Sequence, residues 1–240
     1  MSVWGIRAAA GLLLFAAAPA AAAEAPARVW HILWDGREIG KETARQSAGG
    51  GQWTLESSAD VAYGGPSSYQ QKTVVDETGA CVSYSLTLKA QGFEQLAVVE
   101  RTAGGVRFVL TAGGQTRQRE ETGKAPILCL DNMVFSQWLI LGRELAKNGS
   151  KPATFSAAVP QQMSVRPARF EPGAPLDVKI GGQTFHAMSG RITVGSVAGE
   201  LVYDAAAGIP FRISFPAQKL EAVYDGWEGP APATRAAATP

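Results

Sequence analysis

From Val29 to Glu121 the chain alternates apolar and polar residues with a period of two, interrupted by glycine-rich turns. Val82, Tyr84, Leu86 and Leu88 face one way, and Ser83, Ser85, Thr87 and Lys89 the other. Residues two apart share a face of a pleated strand, so this rhythm predicts half-buried strands. Strands of this kind are expected near 28–34, 37–47, 52–62, 67–76, 93–102 and 105–112 as well as 82–88. The connections are short: Asp35-Gly36 suits a tight type I′ turn, and Gly104-Gly105 and Gly113-Gly114 suit two-residue links. Links this short join antiparallel neighbours, so the expected topology is a meander. The same rhythm returns after Pro152, with strands near 153–159, 163–171, 175–180, 183–195, 197–204, 209–215 and 218–225.

One helix is predicted between the two sets. Asp131 has the chemistry of an N-cap, Lys147 sits in the last turn and Gly149 just beyond it. The run Met133 to Leu141 is apolar around most of a helical circumference, which requires burial on more than one side. A long antiparallel sheet curls rather than staying flat. The expected fold is therefore mainly β: a strongly curved antiparallel meander, a half-barrel or incomplete barrel, with one buried α-helix against its concave face.

The ends read differently. Arg7 and the apolar stretch Ala8 to Ala18 precede the small-residue run Ala20 to Ala23, the pattern of a cleaved signal peptide over residues 1–23. The expected organisation is that leader, one β-rich domain over 24–228, and a disordered Ala/Pro/Thr tail over 229–240. The apolar stretch is shorter than the roughly 20 residues needed to span a bilayer, so a periplasmic or secreted protein that does not span the membrane is expected.

Charge narrows the function classes. Arg7 is the leader's only charge, so the remaining 217 residues carry 21 basic against 21 acidic side chains. Such a balance provides no polyanion drive, and no nucleic-acid partner is expected. Two cysteines, Cys81 and Cys129, lie far apart in sequence. In an oxidising compartment such a pair reads as a structural disulfide rather than a redox motif.

Chemistry is sparse. His31 and His186 are the only histidines, and neither belongs to a metal-ligand spacing such as H-x-x-x-H. No G-x-S-x-G elbow or S-x-x-K motif is present. Gly195-Ser196-Val197-Ala198-Gly199 reads as a hairpin loop. No catalytic residue, metal or cofactor is assigned. Aromatic side chains are plentiful, and five residues make a candidate ligand site: Trp34, Phe135 and Trp138 as apolar walls, with Asp131 and Asn132 as its polar end. For Asp131, helix capping is the simpler role.

Four segments carry a resemblance: Val29-x-His31-x-Leu33-x-Asp35-Gly36-x-x-Ile39-Gly40, Leu130-Asp131-Asn132-Met133-Val134-Phe135-Ser136, Phe155-x-Ala157-x-Val159-Pro160-Gln161 and Gly208-Ile209-Pro210-Phe211-Arg212-Ile213. In these the chain resembles uncharacterised exported bacterial proteins of the domain-of-unknown-function type. In architecture alone it is similar to the envelope half-barrel carriers of lipids and lipoprotein acyl chains. The resemblance implies a non-catalytic binding protein holding a lipid or other apolar ligand between sheet and helix. The alternatives are a structural or interaction module with a filled core, partnered by an envelope protein, and third a hydrolase using His31 or His186.

Overall fold

A computed structural model describes residues 25–62, 64–124, 126–131 and 133–230. The expected leader, Asn132 and residues 231–240 of the expected tail lie outside the described residues.

The first half is a meander of eight strands. β1 (Arg28–Trp34), β2 (Arg37–Gly49), β3 (Gln52–Ala62) and β4 (Pro66–Asp76) are followed by β5 (Cys81–Ala90), β6 (Phe93–Arg101), β7 (Gly105–Ala112) and β8 (Gln115–Thr122). Each pairs antiparallel with the next. The β1–β2 turn has both central residues at positive φ, Asp35 at 50° and Gly36 at 75°. That is the type I′ geometry, whose twist matches the flanking strands and which glycine adopts without strain.

β9 (Ile127–Cys129) and the helix α1 (Trp138–Lys147) come next. The second half contains β10 (Ala153–Val159), β11 (Ser164–Ile180), β12 (Gln183–Val194) and β13 (Val197–Asp204), then β14 (Pro210–Phe215), β15 (Leu220–Tyr224) and β16 (Trp227–Pro230). The two strands expected at 163–171 and 175–180 are one long strand, β11, bent by a register shift between Pro172 and Pro175. Proline lacks an N–H for the ladder, so a bulge is where the sheet tolerates it.

The halves join edge to edge through β1 and β15, giving one sheet in the order β8-β7-β6-β5-β4-β3-β2-β1-β15-β14-β13-β12-β11-β10-β9. It is not closed: β8 and β9 end the path without pairing to each other. β16 lies off this path and pairs with the far part of β11, running to Pro230, inside the segment that composition assigns to the tail. There it helps cover a small second apolar cluster of Val178, Ile180, Ala187, Val202 and Phe211.

The main core fills the concave side. Trp30 and Ile32 from β1, Tyr84 and Leu86 from β5, and Leu201 and Tyr203 from β13 are all buried there. Leu139, Leu141 and Leu145 of α1 join them. The helix lies so close to the chain between β13 and β14 that a Cβ on Gly142 would fall closer than 3.0 Å to the carbonyl oxygen of Gly208. Phe93, at the β5–β6 turn, is an exposed aromatic.

Two features tie the arms of the sheet together. Cys81 on β5 and Cys129 on β9 form a disulfide, with Cα atoms 5.7 Å apart. β9 pairs parallel with β10, so the connection between them is a crossover carrying α1 over the inner face.

Candidate functional site

The crossover begins with an irregular stretch, residues 130, 131 and 133–137, and this is where the structure departs most from expectation. Asp131 does not cap the helix. The N-cap is Gln137, and it makes no side-chain capping bond. The stretch is buried: Leu130, Asp131, Val134, Phe135, Ser136 and Gln137 are each at most 6 % exposed. Buried backbone without a helical or sheet ladder must find its partners elsewhere.

Side chains of the sheet supply them. Glu42 on β2 is fully buried and accepts from the N–H of Phe135 at 2.7 Å and of Ser136 at 3.1 Å. The Tyr69 hydroxyl donates to the Met133 carbonyl at 3.1 Å. Within the stretch, the Asp131 N–H donates to Oε1 of Gln137 at 2.5 Å. The Asp131 carboxylate accepts from the Tyr84 hydroxyl at 2.6 Å and from the Gln161 N–H at 3.3 Å.

A directed chain of side chains runs beneath. Gln137 donates to Thr73, Thr73 to Gln71, and Gln71 to Ser136. Ser136 then donates to Ser57, and Ser57 to Glu42 at 2.7 Å. Each donor points the same way and the chain ends on a carboxylate, the arrangement in which neighbouring bonds polarise one another. Burial raises the Glu42 carboxyl above its usual pKa of 4.5, opposed by the bonds from Ser136, Ser57 and Phe135. Burial likewise pushes the Tyr69 and Tyr84 hydroxyls well above 10.0, reinforced by the nearby carboxylates.

The secured stretch floors a cavity of about 440 Å³ at one end of the curved sheet. Its inner wall is apolar: Leu130, Phe135, Trp138, Val159 and Leu220 are buried, and Phe215 packs edge-to-face on Trp138 with centroids 5.6 Å apart. Its mouth is made by turns. Trp34 closes β1, Gly195 and Ser196 link β12 to β13, and two short 3₁₀ turns contribute Gln162 and Gln218. Those two turns share one local design. Val159-Pro160-Gln161-Gln162-Met163 and Phe215-Pro216-Ala217-Gln218-Lys219 each place proline at the start, glutamine at the third turn position, and end on a left-handed residue.

Four of the five residues that the sequence picks out, Trp34, Asp131, Phe135 and Trp138, line this one cavity. Asn132 lies outside the described residues. Arg166, Gln162 and Gln218 also stand at the mouth, and the recurring P-x-Q is their only trace in the sequence.

The histidines lie elsewhere. His31 sits between Glu38, 2.9 Å from Nδ1, and Asp225, 3.0 Å from Nε2. Its pKa is raised above 6.5, chiefly by the bond to Asp225 and then that to Glu38, against a small loss from burial. His186 is exposed and contacts Asp177 at 2.5 Å. The hydrogen-bond partners of both are carboxylates rather than a serine, and neither histidine lines the cavity. Among the described residues no group of three or more His, Cys, Asp or Glu side chains is placed to hold a metal ion. No described helix is long and apolar enough to cross a membrane.

Fold and site together define an open, barrel-like β-sheet with a helix-bearing crossover packed inside it and a cavity at one end. The structure is similar to that of a beta-barrel-like protein of domain of unknown function DUF1849 from Brucella abortus, with a TM-score of 0.52 and 10 % sequence identity. The match covers 83 % of this chain and 94 % of that one. At that identity the likeness is one of fold. No family model and no curated protein match the chain.

Proposed function

We propose that the protein is an exported, non-catalytic binding protein that holds a lipid or other apolar ligand in the cavity lined by Leu130, Asp131, Met133, Phe135 and Trp138. One observation carries the reading: about 440 Å³ of space with a buried apolar wall and a polar rim opens beside the buried core. Binding sites for small molecules fall between roughly 300 and 1,000 Å³ and combine apolar walls with a few polar groups. The floor is held by hydrogen bonds from the sheet, so its shape exists before a ligand arrives and little ordering cost falls on binding. The Cys81–Cys129 bridge suits an oxidising compartment, which supports export.

Titration with the neutral fluorophore N-phenyl-1-naphthylamine tests this. The protein binds it with a blue-shifted emission. Val197→Trp, at the cavity wall where β13 begins, abolishes binding while leaving the melting temperature near that of the parent. Undiminished binding in the blocked variant contradicts the reading.

A further inference from the structure

Arg166 breaks the pattern of its strand. Ser164, Arg166, Ala168 and Phe170 share one face of β11, and Ser164, Ala168 and Phe170 are buried. Ala168 and Phe170 belong to the main core, so this face is the inner one, and Arg166 stands on it one step nearer the rim. A cation on the interior face of a sheet is costly to desolvate unless it is paired or reaches water. Arg166 is exposed at the cavity mouth, and its Nε donates to the Ser164 hydroxyl at 3.1 Å. Among the described residues no carboxylate lies within ion-pair distance of its guanidinium. Its stem runs along Gly195, whose Cβ position lies 3.6 Å from the Arg166 side chain, so the group is held over the cavity by the turn beneath it.

Arg166 and Asp131 are the only charged side chains among the described residues lining the cavity. The Asp131 carboxylate already accepts from Tyr84 and Gln161, which leaves Arg166 as the charge offered to a ligand. The volume sets the tail. A volume of about 440 Å³ lies toward the lower end of the roughly 300–1,000 Å³ of small-molecule sites, which suits one hydrocarbon chain rather than two. A single guanidinium without an ion-pair partner among the described residues suits a head group of single negative charge, and the planar fork of arginine matches a carboxylate in two parallel bonds.

We infer that the ligand is a single-chain carboxylate, its chain against Phe135, Trp138 and Phe215 and its head group at Arg166. This rests on the reading of the cavity above and adds its selectivity. Gln162, Gln218 and Ser196 stand around the same mouth as neutral donors.

Displacement of N-phenyl-1-naphthylamine by tetradecanoate and by tetradecanol separates the two statements. The parent protein binds the acid about ten-fold more tightly than the alcohol, the worth of one hydrogen-bonded charge pair at a partly wet site. Arg166→Gln, at an exposed position, brings the affinity for tetradecanoate down to that for tetradecanol. Equal affinities in the parent, or a preference that persists in Arg166→Gln, overturn the inference while the cavity reading stands. Failure of both ligands to displace the fluorophore overturns the two together.

Discussion

The backbone N–H of Phe135 lies 2.7 Å from Oε2 of Glu42, ninety-three residues away in sequence. Glu42 is fully buried and has no ion-pair partner among the described residues, yet it fixes two consecutive amides of the cavity floor. A carboxylate in that position costs desolvation, and the floor's shape depends on the bonds it accepts. Because burial raises its folded pKa above the unfolded 4.5, the folded state holds the proton more tightly. The stabilising contribution is complete below pH 4.5 and is lost as the pH rises through the folded value. Chemical denaturation across that window shows stability falling with rising pH in the parent and a flatter dependence in Glu42→Gln. Glu42→Ala strands the amides of Phe135 and Ser136 and costs about 3 kcal/mol.

The disulfide acts on the same floor. It closes a loop of 48 residues and anchors β9, a three-residue strand from which the floor departs. The chain-entropy relation gives about 4 kcal/mol for such a loop. Reduction, or Cys81→Ala with Cys129→Ala, lowers the urea midpoint by a corresponding amount and weakens binding of N-phenyl-1-naphthylamine. An unchanged midpoint contradicts the tethering role.

Gly142 sets helix propensity against packing. Alanine is preferred over glycine inside a helix by about 1 kcal/mol. Here the added methyl would overlap the Gly208 carbonyl, which is backbone and has little room to yield. Overpacking of this kind costs about 1–3 kcal/mol, so packing wins. Gly142→Ala lowers the thermal midpoint, whereas a helix free of that contact would gain from it.

His31 is predicted to titrate above 6.5 by NMR, and Asp225→Asn to bring its midpoint down, since Asp225 is the leading cause of the shift. Glu38→Gln acts in the same direction to a smaller extent. The pair of bonds favours the imidazolium, so its stabilising effect is present below pH 6.5 and fades as the pH rises through the folded value. The site is partly wet, so the change in stability is small.

The strands were legible because half-buried antiparallel sheet writes its faces into alternate residues, and Asp35-Gly36 writes its turn type. The bridge followed from cysteine count, and the need to bury Met133 to Leu141 from its greasiness. What the sequence hides is how Asp131 and residues 133–137 satisfy their backbone. Asp131 resembles a helix cap because capping and accepting from Tyr84 use the same carboxylate chemistry, and only the fold decides between them. Glu42 stands between Lys41 and Thr43, both exposed, and nothing local marks its face as the interior one. Arg166 is hidden for the same reason: its meaning comes from sharing a strand face with Phe170.

The most direct measurement is the anomalous signal of bromine in crystals soaked with 1-bromododecane. The account predicts a bromine site between Phe135, Trp138 and Phe215, lost in Val197→Trp. Bromine found instead on the outer face beside Trp227, with only ordered water above Phe135, would contradict it.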